Sequence, residues 1–381
     1  MHLWGIALAF FVYFAMGGIL MPYVTPVLLE MGYGKESIGT LLACVSLLNT
    51  LMPVLFGRAA DRWFGPQNIF RMGTLMLLFA CSVLFFGWRA GWFVPLALTA
   101  VFMCRAPFAS LLDTMAGEHA EGDPHIYGRL RLTGSFGFVI AVLTISLLPA
   151  ESLTVWFRWG LLLIAMLMVL SSWFLPTLHA RPKTSIRFWS HLPARFWIWL
   201  TAIGLHWVSF GPYNYGINLL FAEIGIPSSQ WGALWCLGIG AEIAMFYLSG
   251  ILFNHFSYRS LLMFAIATSA LRWLILWTYL SPAAVWFTQP LHGSGFALYY
   301  AAAMAGIRDW SGGKQLASLQ GLFTTVVGGA FGAIGYFMAG FLYSRMPFHD
   351  VLGYMLIPEI LSLAILWKYS KASPLFETRP L

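Results

Sequence analysis

The sequence predicts an all-α polytopic membrane protein with twelve transmembrane helices in two pseudo-symmetric six-helix bundles. Three observations predict it. Of 381 residues, 60% are hydrophobic and only 9% are charged, and the mean hydropathy is +0.77. That leaves too few charges to cover a soluble surface. Apolar runs of about twenty residues recur along the chain, each long enough to cross roughly 30 Å of hydrocarbon as a helix. Lipid offers no partner to backbone N–H and C=O groups, so these runs must be helical, and they are too long and continuous for barrel strands. Lastly, the two halves of the chain match at one constant offset.

The spans are expected at 3–29, 36–57, 68–87, 92–116, 128–149, 154–176, 195–222, 228–252, 259–280, 283–307, 315–344 and 349–369. The first begins MHLWGIALAFFVYF, without a basic n-region or a small-residue cleavage site, and so reads as a span and not a cleaved signal. An even number of spans puts both termini on one side. Fifteen of the 21 Lys and Arg, among them Arg58, Arg62, Arg129, Arg131 and Lys314, fall on that side, against four (Lys35, Arg89, Arg158, Arg345) on the other. The positive-inside rule therefore places both termini in the cytoplasm, in a multi-pass protein of a bacterial-type inner membrane. This topology accounts for the net charge of +7 without a nucleic-acid partner. Cys44, Cys81, Cys104 and Cys236 all lie inside apolar runs and lack metal-ligand spacing, so they read as small hydrophobes, and neither a metal nor a cofactor is expected.

The longest polar interval, Leu178 to Arg195, divides six spans from six, giving an N-terminal bundle over 1–177, a cytoplasmic linker over 178–194 and a C-terminal bundle over 195–381. Adding 193 to a first-half position pairs Gly18 with Gly211, Glu30 with Glu223, Gly32 with Gly225, Gly39 with Gly232 and Gly57 with Gly250. The same shift pairs Asn49 with Glu242, so each half carries a polar residue at one depth of its second helix. Parallel six-helix halves are the architecture of many secondary transporters, in which the substrate site lies between the halves at the midplane.

The charges inside the spans are the candidates for function. An ionisable group at mid-bilayer costs about 2.5 kcal/mol or more and ordinarily faces a partner or a wet cavity. Glu242 stands alone in LWCLGIGAEIAMFY, near the middle of span eight; Arg272 in span nine and His292 in span ten reach the same central third. This set reads as a proton-coupling site. Burial raises a carboxylate's pKa and a nearby arginine lowers it, so movement of Arg272 could switch Glu242, with His292 as relay. The alternative is a static Glu242–Arg272 pair that fixes helix packing. Arg105, near the middle of span four, is the one basic residue deep in the first half. Its fork suits a carboxylate or phosphate of the substrate, or else balances Glu242 or Glu359. The polar stripe of span seven, with His206, Tyr213, Asn214 and Asn218, together with Tyr13 and Tyr23 of span one and Asn49 of span two, could line the substrate cavity. Near the inner face Asp61, Arg62, Asp113, Arg129 and Arg131 could form ion pairs that latch a cytoplasmic gate, or be solvated surface charge.

The loop Gly57-Arg-Ala-Ala-Asp61-Arg62-Trp-Phe-Gly65 resembles the major facilitator superfamily signature between its second and third helices, with one more residue before the last glycine and Pro66, Gln67 and Asn68 in place of basic residues after it. A closer resemblance runs through most of the chain. Gly18-Ile-Leu-Met-Pro22-Tyr23, Tyr127-Gly-Arg-Leu-Arg131-Leu-Thr-Gly-Ser135, Trp235-Cys-Leu-Gly-Ile-Gly-Ala-Glu242, Arg272-Trp273 and His292 are similar to the phenylpropionate permease family. That family is a branch of the superfamily related to lactose permease and the nucleoside–proton symporters. The resemblance implies the major facilitator fold, a monomer, and proton-coupled uptake of a small organic acid by alternating access. It also implies roles for Asp113 and Arg131 in the gate. Lactose permease-like symporters carry a second carboxylate one turn beyond this histidine, where His292-Gly-Ser-Gly295 has none. Glu242 would then hold the proton alone, or the protein is a uniporter. Sugar or nucleoside transport is the other open reading. The sequence has no HExxH, GxSxG or Walker-type lysine loop, so an enzyme is not expected.

Overall fold

The computed structural model describes residues 3–88, 91–120, 123–178, 192–311 and 316–370. Among them the regular structure is helical throughout, and ten helical segments are long and apolar enough to cross a membrane. The chain separates into two compact units, Met1–Gly34 with Cys44–Ser185, and Lys35–Ala43 with Ile186–Leu381. The expected linker over 178–194 lies almost wholly outside the described residues.

In the N-terminal unit the helices are α1 (Leu3–Glu30), α2 (Lys35–Ala59, prolonged by a π-helical turn at Ala60–Phe64), α3 (Pro66–Phe86), α4 (Val94–Arg105), α5 (Phe108–His119), α6 (Pro124–Ser146) and α7 (Leu153–Ser172). The first residues of α2 cluster with the other unit. Helix α1 is the buried centre of its unit and packs on α6 and α7, with Phe10, Met16, Leu20 and Val27 fully buried. Small residues let backbones approach where lipid gives no hydrophobic drive between helices. A Cβ on Gly18 would stand 2.5 Å from the Phe138 carbonyl oxygen, and one on Gly137 would collide with the carbonyl of Phe11. Gly137→Ala should therefore force α6 off α1. Overpacking of this kind typically costs about 1–3 kcal/mol, and the check is a lower melting temperature of the purified protein.

The C-terminal unit contains α8 (Ala194–Ser209), α9 (Gly211–Glu223), α10 (Ser228–Leu252), α11 (Tyr258–Thr278), α12 (Pro282–Thr288), α13 (Leu291–Gly293), a π-helical turn (Ser294–Leu298), α14 (Tyr299–Ser311), α15 (Leu316–Phe323), a π-helical stretch (Thr324–Phe331), α16 (Gly332–Tyr343), α17 (Phe348–Tyr354) and α18 (Leu356–Ser370). Its core joins Phe196, Leu200 and Ile203 of α8 to Leu262 and Ile266 of α11, to Leu298 of the π turn and to Ala302 of α14.

The two expected spans outside those ten segments, seven and ten, are broken, in addition to the interruptions of span four at Ala106–Pro107 and of span twelve at Met355. Span seven divides at Phe210 into α8 and α9, with Pro212 in the first turn of α9 and Gly216 leaving helical backbone (φ 164°, ψ 74°). Span ten divides at Pro290, which has no N–H to give, and then winds into the π turn after His292. Irregular backbone at membrane depth is tolerated where protein or a wet cavity replaces lipid. Both breaks fall beside the polar cluster described next.

Candidate functional site

The site of the C-terminal unit is a chain of five polar side chains on α9, α10, α11 and the broken span ten. His292 stands at its centre. Its Nε2 lies 2.9 Å from Glu242 Oε1, and its Nδ1 lies 3.2 Å from Arg272 Nη1. Arg272 Nη2 donates to Gln289 Oε1 at 2.6 Å, and Gln289 Nε2 donates to the Tyr213 hydroxyl at 3.4 Å. A guanidinium can only donate, so Nδ1 must offer its lone pair. The proton of the neutral imidazole then resides on Nε2 and is donated to Glu242. The arginine thus sets the tautomer.

Two close backbone approaches build this geometry. A Cβ on Gly293 would strike the Ala241 carbonyl, and one on Gly238 would stand 3.2 Å from Gln289 Nε2 and 3.4 Å from His292 Cδ2. Glycine at both positions lets α10 lie against span ten, which brings Glu242 to His292. Aromatic rings hold the imidazole in plane. Tyr213 stacks on it at 4.4 Å and Phe296 at 5.7 Å. Arg272 is flanked by the rings of Tyr213 and Trp273, at 4.9 and 5.0 Å, and its Nε is buried without a partner.

The alternative of a direct Glu242–Arg272 pair is not realised, and His292 bridges the two. The physical reason is the break at Pro290, which turns His292 inward between α10 and α11. The bridge gives each member a distinct proton capacity. The Glu242 side chain is 20% exposed, against 5% for His292 and 1% for Arg272, so Glu242 is the least enclosed of the three. His292 can take a second proton only at Nδ1, and only when Arg272 withdraws.

Gln289 was not picked out from sequence, although a polar residue three positions before His292 in an apolar span shares its helical face. Replacing Gln289 with leucine should leave a buried guanidinium N–H unsatisfied. Hydrogen bonds to charged groups contribute about 1.5–3 kcal/mol, so a lower melting temperature is expected, and so is a transport pH profile shifted from wild type because Arg272 is freed to bind elsewhere.

The other expected site residues are placed as follows. Tyr213 belongs to the chain. Asn218 is fully buried and accepts from Trp235 Nε1 at 2.9 Å. Among the described residues, no side-chain hydrogen bond joins Asn214 to the cluster. In the N-terminal unit, Tyr23 is buried and its hydroxyl donates to Val142 O at 3.0 Å, while Asn49 Oδ1 is buried without a partner. Arg105 ends α4 just before Pro107 breaks the span. Its guanidinium lies over the Tyr13 ring at 4.2 Å, and its Nε is buried and unpartnered. Among the described residues no carboxylate pairs with it. Glu359, one of its two expected counter-charges, is fully buried against His206 and Ser209.

Of the expected gate residues, Asp113 and Arg131 meet at 3.8 Å, supported by Tyr127, whose hydroxyl donates to Asp113 at 3.1 Å. Arg131 also covers the Phe14 ring at 4.4 Å. All four belong to the N-terminal unit, so the pair ties α5 to α6. Asp61 and Arg62 occupy the π turn after α2, and Arg129 is exposed on α6; the described contacts do not join them to the Asp113–Arg131 pair.

Comparison with known proteins fits this arrangement. The MFS_1 like family model matches residues 3–351. The chain is 28% identical over 357 residues to a protein of Escherichia coli (strain K12) named "Probable 3-phenylpropionic acid transporter", covering 90% of this chain and 91% of the relative. It is 24% identical over 379 residues to the maltose permease of Geobacillus stearothermophilus, covering 95% and 93%. Among solved structures it is similar to the nucleoside transporter NupG, with a TM-score of 0.80, 16% identity and full coverage of both chains (100% each). That last likeness speaks for the fold alone. With two compact helical units, polar groups buried in apolar spans and a family match over nearly its whole length, the chain belongs to the MFS_1 like family and is a membrane transporter of the major facilitator superfamily.

Proposed function

We propose that the protein imports a small organic acid, with aromatic carboxylates as the favoured class, coupled to protons by alternating access. The observation that carries the substrate class is Arg105. A guanidinium at mid-span without an acid partner is costly in lipid, and the Tyr13 face beneath it attracts the cation without neutralising it. An incoming carboxylate supplies the missing charge, and Tyr13 offers an aromatic surface beside it. Proton coupling is supported by the Glu242–His292–Arg272 chain, in which one imidazole joins an ionisable carboxyl to a guanidinium. The name of the Escherichia coli relative favours the same substrate class.

In this reading the protein works as a monomer in a bacterial inner membrane with both termini cytoplasmic, as the distribution of Lys and Arg argues. Asp113 and Arg131 act at the cytoplasmic gate by holding α5 to α6. Uptake into vesicles tests the whole reading. Phenylpropionate-like acids should accumulate when the outside is made acidic and should only equilibrate without the gradient. Accumulation of maltose or nucleosides, with carboxylates left outside, would overturn the substrate class. Accumulation indifferent to the gradient would overturn the coupling.

A further inference from the structure

Arg272 and Arg105 are held in opposite ways. Arg272 is fixed through its donors, which meet Gln289 and His292. Arg105 is fixed without them. Its guanidinium carbon lies 4.2 Å from the centre of the Tyr13 ring, and its Nε is buried without a partner. Among the described residues no hydrogen bond engages the rest of the fork.

Beside the fork stands a glycine. Gly17 lies one turn beyond Tyr13 on the same face of α1. A Cβ on Gly17 would stand 2.9 Å from Arg105 Nη2 and 3.9 Å from its Cζ, with Phe138 Cδ2 at an ordinary 3.6 Å. The atom that would have to move is the far end of a flexible side chain. Gly18, next in sequence, differs. A Cβ there would meet the Phe138 carbonyl oxygen at 2.5 Å and Phe138 Cα at 3.2 Å, and this is backbone that cannot give way cheaply. The two glycines therefore serve different neighbours: Gly18 admits α6, and Gly17 admits the guanidinium.

We propose, resting on Arg105 as the carboxylate anchor, that Gly17 is a positioning residue of the substrate site. Together with Tyr13 it forms a seat that sets the place of the Arg105 fork without consuming its N–H groups, and so keeps them free for a carboxylate. The ring face attracts the cation electrostatically, and the glycine leaves room for Nη2; neither contact takes an N–H into a hydrogen bond with oxygen. A serine or asparagine at position 17 would offer an oxygen that competes for those donors. An alanine would displace the fork instead. Displacement matters because a carboxylate meets a guanidinium through two parallel N–H···O bonds, and such bonds weaken steeply once misaligned. A fork already in place with its donors free also loses less freedom when the ligand arrives.

Thermal-shift titration of the purified full chain with phenylpropionate provides the test. Gly17→Ala should raise Kd about tenfold to a hundredfold, as for the loss of one hydrogen bond to a charged group, while the melting temperature of the empty protein stays at the wild-type value. Gly18→Ala should do the reverse, lowering the melting temperature and leaving Kd near wild type. A second comparison asks whether Gly17 acts through the arginine. In Arg105→Lys the ammonium stands at the place of Cζ and there is no Nη2, so adding Gly17→Ala should change Kd little, and the two substitutions should fail to add. A Kd unmoved by Gly17→Ala, an equal rise in Gly18→Ala, or an undiminished effect of Gly17→Ala in the Arg105→Lys background overturns the proposal and leaves Gly17 a packing residue. Failure of the anchor is read separately. An unchanged Kd in Arg105→Ala removes the carboxylate anchor and the seat with it, whereas a weakened Arg105→Ala beside an unchanged Gly17→Ala removes the seat alone.

Discussion

Glu242→Gln is expected to abolish accumulation of substrate against a gradient while leaving exchange between internal and external substrate intact. The amide has the shape of the acid, and its oxygen still accepts from His292 Nε2, which the carboxylate binds at 2.9 Å. Folding should therefore be preserved. What is lost is the carboxyl proposed to carry the coupled proton. Wild-type uptake should fall as the external pH rises, because proton loading becomes less favourable, and the variant should show a flat profile. Counterflow with labelled substrate, set beside net uptake under an imposed pH gradient, separates the two activities. Undiminished accumulation by the variant would remove Glu242 from the coupling mechanism.

Arg105→Ala is expected to weaken substrate binding most among single changes in the N-terminal unit. Removing one partner of a buried, hydrogen-bonded charge pair typically costs about 2–5 kcal/mol, which corresponds to roughly a thirtyfold to several-thousandfold rise in Kd. Arg105→Lys keeps the charge but not the planar fork, so it should recover only part of the affinity. The stability of the empty protein should move the other way. With no acid partner among the described residues, loss of this guanidinium removes an uncompensated charge, and the melting temperature of Arg105→Ala should be equal to wild type or higher. Titration of a phenylpropionate-like acid by thermal shift reads both effects in one experiment. An unchanged Kd would exclude Arg105 as the carboxylate anchor.

The apolar helical spans, and the common level of Glu242, Arg272 and His292, were legible without coordinates. Bilayer thickness and the rise of a helix are constants, so counting residues is enough to put Glu242, Arg272 and His292 at one level. Glycine spacing announced close packing too, though it could not say that Gly238 and Gly293 are the pair that admits Glu242 to His292. The breaks at Phe210 and Pro290 had local signals in Pro212 and Pro290, but composition alone reads both stretches as continuous apolar spans.

Partner choice was the part that stayed hidden. Successive residues project about 100° apart around a helix of 3.6 residues per turn, so whether a side chain meets an acid or a ring depends on rotations that hydropathy does not record. Hence the alternative of a direct Glu242–Arg272 pair gives way to Arg272 on His292 and Gln289, and the alternative in which Glu359 balances Arg105 gives way to Glu359 on His206. By itself the sequence determined that this is a twelve-span transporter with ionisable groups at mid-membrane, because the lipid imposes length, apolarity and charge bias on any chain that crosses it. Only the tertiary structure decided which of those groups share protons, since a proton is shared only between atoms within about 3 Å along the bond direction, and that distance is set by how each helix turns and where it breaks.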